Sequence, residues 1–178
     1  MNDKYVFSET NYKTNDGMQT SIWGPPMWHI IHTISFNYPV NPSKEDKENY
    51  YNFFFSLQYV LPCKSCRDNL SIYLKKHPIN LKILKNRETL SKYIYKLHEN
   101  VNKKLDKKSG LSFEDIKDRF EHFRARCIIN PELESKSNNC TEALYGIKSK
   151  CVLNIIPKDN RKKSLIIDPN CYVKKKIN

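Results

Sequence analysis

Cys63 and Cys66 stand in Pro62-Cys63-Lys64-Ser65-Cys66-Arg67, between two segments with strong helical patterning. Two cysteines at this spacing can form a redox-active disulfide, supply half of a zinc site, or do neither. A four-thiolate zinc site needs a second close pair. The remaining cysteines, Cys127, Cys140, Cys151 and Cys171, stand singly toward the C-terminus. Zinc is therefore the weaker reading, and no metal ligand set is assigned. A helical pattern begins within the pair itself. It puts Cys66 in a first helical turn, where unpaired backbone N–H groups and the helix dipole favour a thiolate. Lys64 and Arg67 push the same way. The pair is expected to exchange disulfides, with Cys63 and Cys66 as the catalytic residues.

The flanking segments must hold this pair in place. Trp23-Gly24-Pro25-Pro26 reads as a turn that opens a helix over about 27–37. Met27, Ile30, Ile31 and Ile34 form its apolar stripe, with Trp28 and His32 one turn apart along the edge. Pro42-Ser43 caps a second helix, with Glu45 and Asp46 in its first turn. Its inward residues are Tyr50, Phe53, Phe54, Leu57, Val60 and Leu61, and it delivers the chain to Pro62. A third helix is expected over about 64–76, with Leu70, Tyr73 and Leu74 inward.

After a linker at 78–86, a fourth helix spans about 88–107 on the stripe Leu90, Ile94, Leu97, Val101 and Leu105, with His98 and Asn102 beside it. Ser112 with Asp115 gives a capping-box-like start to a fifth helix. Ile116, Phe120 and Phe123 are its inward residues, and it runs out near Cys127. Beyond Ile128, Asn-Pro, Ser/Asn clusters and prolines interrupt short apolar runs at 152–156 and 165–167, so loops and one short hairpin are expected. The division is a flexible arm at 1–21, a helical domain at 22–127 and a Cys-containing extension at 128–178. No strands flank the Cys-x-x-Cys pair, which argues against a thioredoxin fold.

Composition narrows the classes. At 178 residues and 39% hydrophobic, the chain can bury one moderate core. Four glycines argue against a glycine-loop nucleotide fold. No run approaches the ~20 apolar residues of a membrane span. The first residues lack the apolar core of a signal peptide, so secretion by that route is not expected. The formal charge of +12 suits nucleic acid, an acidic membrane surface or an anionic cofactor, and equally a solvated basic surface. Six cysteines without any signal for an oxidising compartment form a tension. One resolution is that the protein itself makes disulfides.

Trp28 with His32, and His98 with Asn102, each have an ordinary structural explanation. Together they fit an aromatic cofactor held by flat side chains and fixed polar groups on facing helices. A dithiol that passes on two electrons needs an acceptor in contact, and a flavin meets both conditions. In this combination the sequence resembles the FAD-linked sulfhydryl oxidases of the Erv/ALR type. The residues that carry the resemblance are Gly24-x-x-x-Trp28-x-x-x-His32, Pro62-Cys63-x-x-Cys66 and His98-x-x-Val101-Asn102-x-x-Leu105-x-Lys107. It covers about 22–127, with departures at Pro25, Glu99 and Phe120. The Trp-Gly-Pro-Pro-x-Trp run and the stretch from Cys140 to Leu153 resemble members from large DNA viruses of eukaryotes.

The resemblance implies an all-α fold: a four-helix bundle plus a short fifth helix binding FAD, with an irregular Cys-containing C-terminal tail. It implies that Gly24, Trp28, His32, His98, Val101, Asn102, Lys104 and Lys107 bind the cofactor. Cys63 and Cys66 would be the redox disulfide, with Cys66 nearer the flavin. The implied activity takes electrons from protein dithiols to molecular oxygen and yields hydrogen peroxide. A thioredoxin-like carrier is among the implied substrates, and a homodimer is the implied assembly. Neither specific nucleic-acid binding nor a membrane span is expected, and the implied location is host cytoplasm or virion. Cys127, Cys140, Cys151 and Cys171 are candidates for structural disulfides, with a shuttle pair as the alternative. Two rivals from other classes are a zinc-stabilised basic helical module that binds nucleic acid, and a flavin-free structural protein on the same fold.

Overall fold

The computed structural model describes residues 8–15, 17–126, 140, 142–160, 163 and 165–171. Among them regular structure is mostly helical, with almost no strand. The order is α1 (Glu9–Tyr12), α2 (Thr20–Asn37), α3 (Lys44–Val60), α4 (Lys64–Lys76), a 3-10 turn (Ile83–Lys85), α5 (Arg87–Lys104) and α6 (Phe113–Glu121). Two short strands, β1 (Ala125–Arg126) and β2 (Glu142–Ala143), pair antiparallel.

Local chemistry sets most of the boundaries. Ser43 with Asp46, Asn86 with Thr89 and Ser112 with Asp115 form reciprocal capping boxes at the starts of α3, α5 and α6. Each cap is worth about 1 kcal/mol. α5 closes on Asp106, whose φ is 51°; Lys107 N–H donates to the Asn102 carbonyl at 2.9 Å and Asp106 N–H to Lys103 at 3.3 Å. This left-handed cap ends the helix before the expected 107 and leaves Leu105 57% exposed, outside the apolar stripe.

α2 differs more. It starts at Thr20, so Trp23-Gly24-Pro25-Pro26 lies inside the helix rather than ahead of it. The two prolines withdraw donors from the carbonyls of Ser21 and Ile22, but those residues are exposed and water can replace the bonds. Gly24 eases the crowding that a proline imposes on the residue before it, because it has no Cβ. The indole N–H of Trp23 donates to the Met18 carbonyl at 3.0 Å and braces the first turn.

The main core lies among α2, α3, α4 and α5. Tyr38, Leu90 and Ile94 are wholly buried there. Tyr38 donates its hydroxyl to the Leu84 carbonyl at 2.9 Å, and Arg87 Nε donates to the Tyr38 carbonyl at 2.7 Å. A second cluster of Phe36, Phe113, Ile116 and Phe120 seats α6. Arg124 pairs with Glu121 and donates to the Phe36 carbonyl at 2.7 Å, tying the end of α6 to α2. Ile30 and Val60 are 50% and 66% exposed, against their expected inward placement. α6 ends at Glu121, short of Cys127, and Phe123 beyond it is exposed. The strand pairing joins the end of α6 to residues near Cys140, whereas the apolar runs at 152–156 and 165–167 form no strands.

Among the tail cysteines, Cys127 lies outside the described residues. Cys140 is disulfide-bonded, whereas Cys151 and Cys171 are free thiols, contrary to a structural disulfide at either. Cys151 sits in an irregular, exposed segment.

Candidate active site

Cys63 and Cys66 form a disulfide across the first turn of α4, with Cα atoms 5.2 Å apart. Cys63 is the N-cap of that helix. Its backbone is extended, and its sulfur accepts the Cys66 N–H at 3.2 Å. A sulfur thus takes the place of the Ser or Asp oxygen usual at this position. Cys66 is the third helical residue, inside the field of the unpaired N–H groups. The Ser65 hydroxyl lies 3.2 Å from the Cys63 sulfur. Arg67 donates to the Leu61 carbonyl and fixes the loop that leads into the pair.

The two sulfurs face different surroundings. Cys63 lines a cleft of about 480 Å³ together with Gly17, Met18, Thr20, Lys64, Ser65 and Asp68; Cys66 does not. Asn69 and Leu70 follow Cys66 by one helical turn on the same face. Leu70 is buried in the main core, and Asn69 accepts from Lys104 Nζ of α5 at 2.8 Å. Cys66 thus lies on the same face of α4 as the buried Leu70, and Cys63 lines the open cleft.

The second constellation is made by α2 and α5. Trp28 stacks on His98, centroids 4.0 Å apart and planes 5° from parallel. His32 Nε2 and His98 Nδ1 are 3.0 Å apart. Phe120 of α6 stacks on His32 at 5.3 Å. Burial, reinforced by positive charge on His98, His29 and Arg119, lowers the His32 pKa to about 3. Burial lowers that of His98 to about 4 against a weaker opposing effect of Glu99. Both rings are thus neutral at pH 7, and one donates to the other.

Whichever tautomer holds, His32 Nδ1 is buried without a partner among the described residues, as is Nδ1 of the nearby His29. A buried polar atom left unpaired costs about 1–3 kcal/mol, so these atoms call for a polar ligand group. Gly24 adds an open stretch of helix backbone: beyond its chain neighbours and its own helix backbone, no described atom comes within 4 Å of where a Cβ would sit. Flat rings, unpaired ring nitrogens and bare backbone together fit a flavin nucleotide. At 4.0 Å, Trp28 and His98 leave no space for a third ring between them, so such a ligand would meet their outer surfaces.

The other expected cofactor positions are spread along the C-terminal part of α5. Val101 is half-buried one turn from His98. Asn102 Nδ2 donates to Glu99 Oε1 at 2.9 Å. Lys104 reaches α4, and Lys107 is exposed just past the helix. Trp28, His32 and His98 thus meet between α2 and α5, with Gly24 one turn ahead of Trp28, while Lys104 reaches Asn69 of α4 and Lys107 lies just past the end of α5. Two contributors went unread in the sequence. The Ser65 contact with Cys63 could have been suspected from its place inside the motif. The packing of Gly17 and Met18 on the redox loop had only one signal, a glycine in a polar arm of a glycine-poor chain.

A sequence model of the Erv1 / Alr family matches residues 25–121. The "Probable FAD-linked sulfhydryl oxidase" of Acanthamoeba polyphaga mimivirus is 42% identical over 85 residues, which are 48% of this chain and 59% of that protein. The chain thus spans little more than half the length of that relative. An FAD-linked sulfhydryl oxidase of African swine fever virus (isolate Tick/Malawi/Lil 20-1/1983) is 30% identical over 99 residues, 56% of this chain and 80% of that one. In fold, the chain is similar to the crystal structure of the yeast Erv1 core, with a TM-score of 0.53 and 23% identity over 66% of this chain and 96% of the other. It is similar also to the FAD-binding domain of Erv1 from Saccharomyces cerevisiae, with a TM-score of 0.54 and 23% identity over 58% and 94%.

Proposed function

The chain belongs to the Erv1/Alr family, and on that premise we propose that it is an FAD-dependent thiol oxidase that forms disulfides in protein substrates. The observation that carries this reading is the disulfide-bonded Cys63–Cys66 pair at the start of α4, with Cys63 lining an open cleft and Cys66 one turn from the buried Leu70. Gly24, Trp28, His32, His98, Val101, Asn102, Lys104 and Lys107 are the proposed cofactor contacts. The naming of flavin-linked relatives favours this reading over a zinc-stabilised nucleic-acid binder or a flavin-free scaffold.

A substrate thiolate attacks the Cys63 sulfur. A substrate–Cys63 disulfide forms, the Cys63–Cys66 bond breaks, and the electron pair leaves on Cys66 as a thiolate. That thiolate sits in the first turn of α4, where unpaired backbone N–H groups and the helix dipole favour negative charge. The second substrate thiolate then attacks the substrate sulfur of the mixed disulfide. The substrate disulfide is released, and Cys63 departs as a thiolate toward the Cys66 N–H and the Ser65 hydroxyl. FAD, when bound, supplies the two-electron acceptor for the reduced pair and the route to molecular oxygen, with hydrogen peroxide as the product. His32 and His98 remain neutral and so add no charge to the dry wall of that site. Lys104 and Lys107, at the end of α5, suit the anionic pyrophosphate.

A homodimer is the proposed assembly; the exposed Ile22 and Ile30, two turns apart on α2, support it. A thioredoxin-like carrier is one form the protein dithiol substrate could take. Among the described residues no helix is long and apolar enough to cross a membrane. The test of the reading is direct. The purified protein is expected to be yellow, to release about one FAD per chain, and to consume oxygen with dithiothreitol. Folded protein that takes up no flavin on reconstitution would end the oxidase reading.

A further inference from the structure

The segment just before α2 is packed on the redox loop. Met18 N–H donates to the Pro62 carbonyl at 2.9 Å, and Trp23 holds the Met18 carbonyl from the other side. At Gly17 a Cβ would lie 2.7 Å from the Pro62 oxygen and 3.0 Å from Cys63 Cα, both backbone atoms. No other residue fits at 17 without moving the loop. Residues 17–20 therefore stand as a fixed wall facing 63–68, with Cys63 between them.

We propose that Gly17–Thr20 and the Cys63 loop form a docking cleft for a short, uncharged, cysteine-bearing segment of the protein substrate, with Met18 as its apolar contact. The proposal rests on the thiol-oxidase reading and adds to it what the site accepts. Three observations choose the occupant. The cleft, about 480 Å³ and open to solvent, is far larger than a small dithiol needs and leaves room for a peptide segment to lie along it. The charged groups of its floor, Lys64 and Asp68, pair with each other at 2.9 Å, so they present no net charge for an acidic or basic peptide to match. Met18 is 70% exposed although both neighbouring backbone groups are fixed, and a flexible thioether is suited to varied apolar side chains.

The test isolates Cys63. The full chain carries Cys66→Ser, with Cys151→Ser and Cys171→Ser to remove the free thiols. The probes are peptides whose single cysteine is joined to thionitrobenzoate. The Cys63 thiolate attacks the peptide sulfur, a Cys63–peptide disulfide forms, and the bond to thionitrobenzoate breaks. Thionitrobenzoate leaves with the electron pair as a coloured anion. The rate is expected to saturate with a Leu/Val-flanked peptide, at least threefold earlier than with Glu- or Lys-flanked peptides. Met18→Asp and Gly17→Val are each expected to raise the half-saturating concentration at least fivefold. If Gly17→Val lowers helix content by circular dichroism, the exposed Met18→Asp carries the test. No saturation, or an unchanged half-saturation in Met18→Asp, overturns the proposal. So does an equal slowing with methyl methanethiosulfonate, an uncharged reagent that brings only a methylthio group to Cys63; the segment would then only support Cys63. The exchange needs neither FAD nor oxygen, so a parent chain that lacks flavin or oxidase activity is a separate failure, of the underlying reading.

Discussion

Around Cys63 the chain keeps water close: the cleft walls are Lys64, Ser65, Asp68 and the exposed Met18. Around His32 it excludes water: that ring is 3% exposed and walled by Trp28, His98 and Phe120. The wet region suits thiol exchange, in which thiolates must form and depart. The dry region suits a fixed aromatic ligand and holds two histidines neutral. Under the proposed function, α4 links the two regions, with Cys63 on the wet side and Cys66 as the sulfur that serves the dry one. The contrast teaches that the fold offers two environments of opposite character, an open polar cleft at Cys63 and a closed aromatic wall at His32.

The largest effect is expected from breaking the bridge between the regions. Cys63→Ser and Cys66→Ser should each lower turnover with dithiothreitol by more than about a thousandfold, since neither variant can cycle between disulfide and dithiol. Both should keep FAD, which absorbance of the purified protein checks. A parent-like rate in both would remove the pair from the mechanism.

Damage to the dry region should act on binding and stability instead. His98→Ala deletes the partner of His32 Nε2 and the ring beneath Trp28. A cost of about 2–4 kcal/mol in unfolding free energy is expected, with FAD affinity at least about tenfold weaker. Urea unfolding and flavin titration read the two effects.

The same region should set a pH dependence in the FAD-free protein. His32 and His98 have folded pKa values near 3 and 4, below the usual 6.5. The unfolded chain therefore binds more protons below about pH 6.5. Stability from the neutral rings is complete above that pH and is lost as pH falls toward 4. Urea midpoints should be level above about pH 7 and decline below it. His98→Gln should flatten the decline between about pH 6.5 and 5, before carboxylates titrate. An equal slope in parent and variant would contradict this origin.

The smallest effect is expected outside both regions. Cys151→Ser and Cys171→Ser alter free thiols in the tail and should leave dithiothreitol oxidation within about twofold of the parent. A larger loss in oxygen-uptake assays would give the tail a redox role.

Much of this contrast could be read from residue order. Apolar spacing located the helices, and Ser43, Ser112 and the Cys63–Cys66 motif marked three helix starts. The i, i+4 pairing of Trp28 with His32 and the place of His98 beside the α5 stripe marked the dry region. What was hidden depends on approaches between distant segments. Pro25 and Pro26 resemble a helix start locally, yet α2 runs through them because the carbonyls they leave are exposed. Asp106 ends α5 through a left-handed cap that a run of charged residues does not announce. The parallel stack of Trp28 on His98 follows from how α2 meets α5. Gly17 is required only because Pro62 lies against it.

The central claim is that Cys66 faces the cofactor side and Cys63 the substrate side. The decisive measurement is the absorption spectrum of the two single serine variants, each loaded with FAD, at pH 7. Cys63→Ser leaves the Cys66 thiolate unpaired and should show a broad band beyond the flavin peaks, the mark of a thiolate lying against the ring. Cys66→Ser should show none. A band in Cys66→Ser and none in Cys63→Ser would contradict the assignment and reverse the two faces.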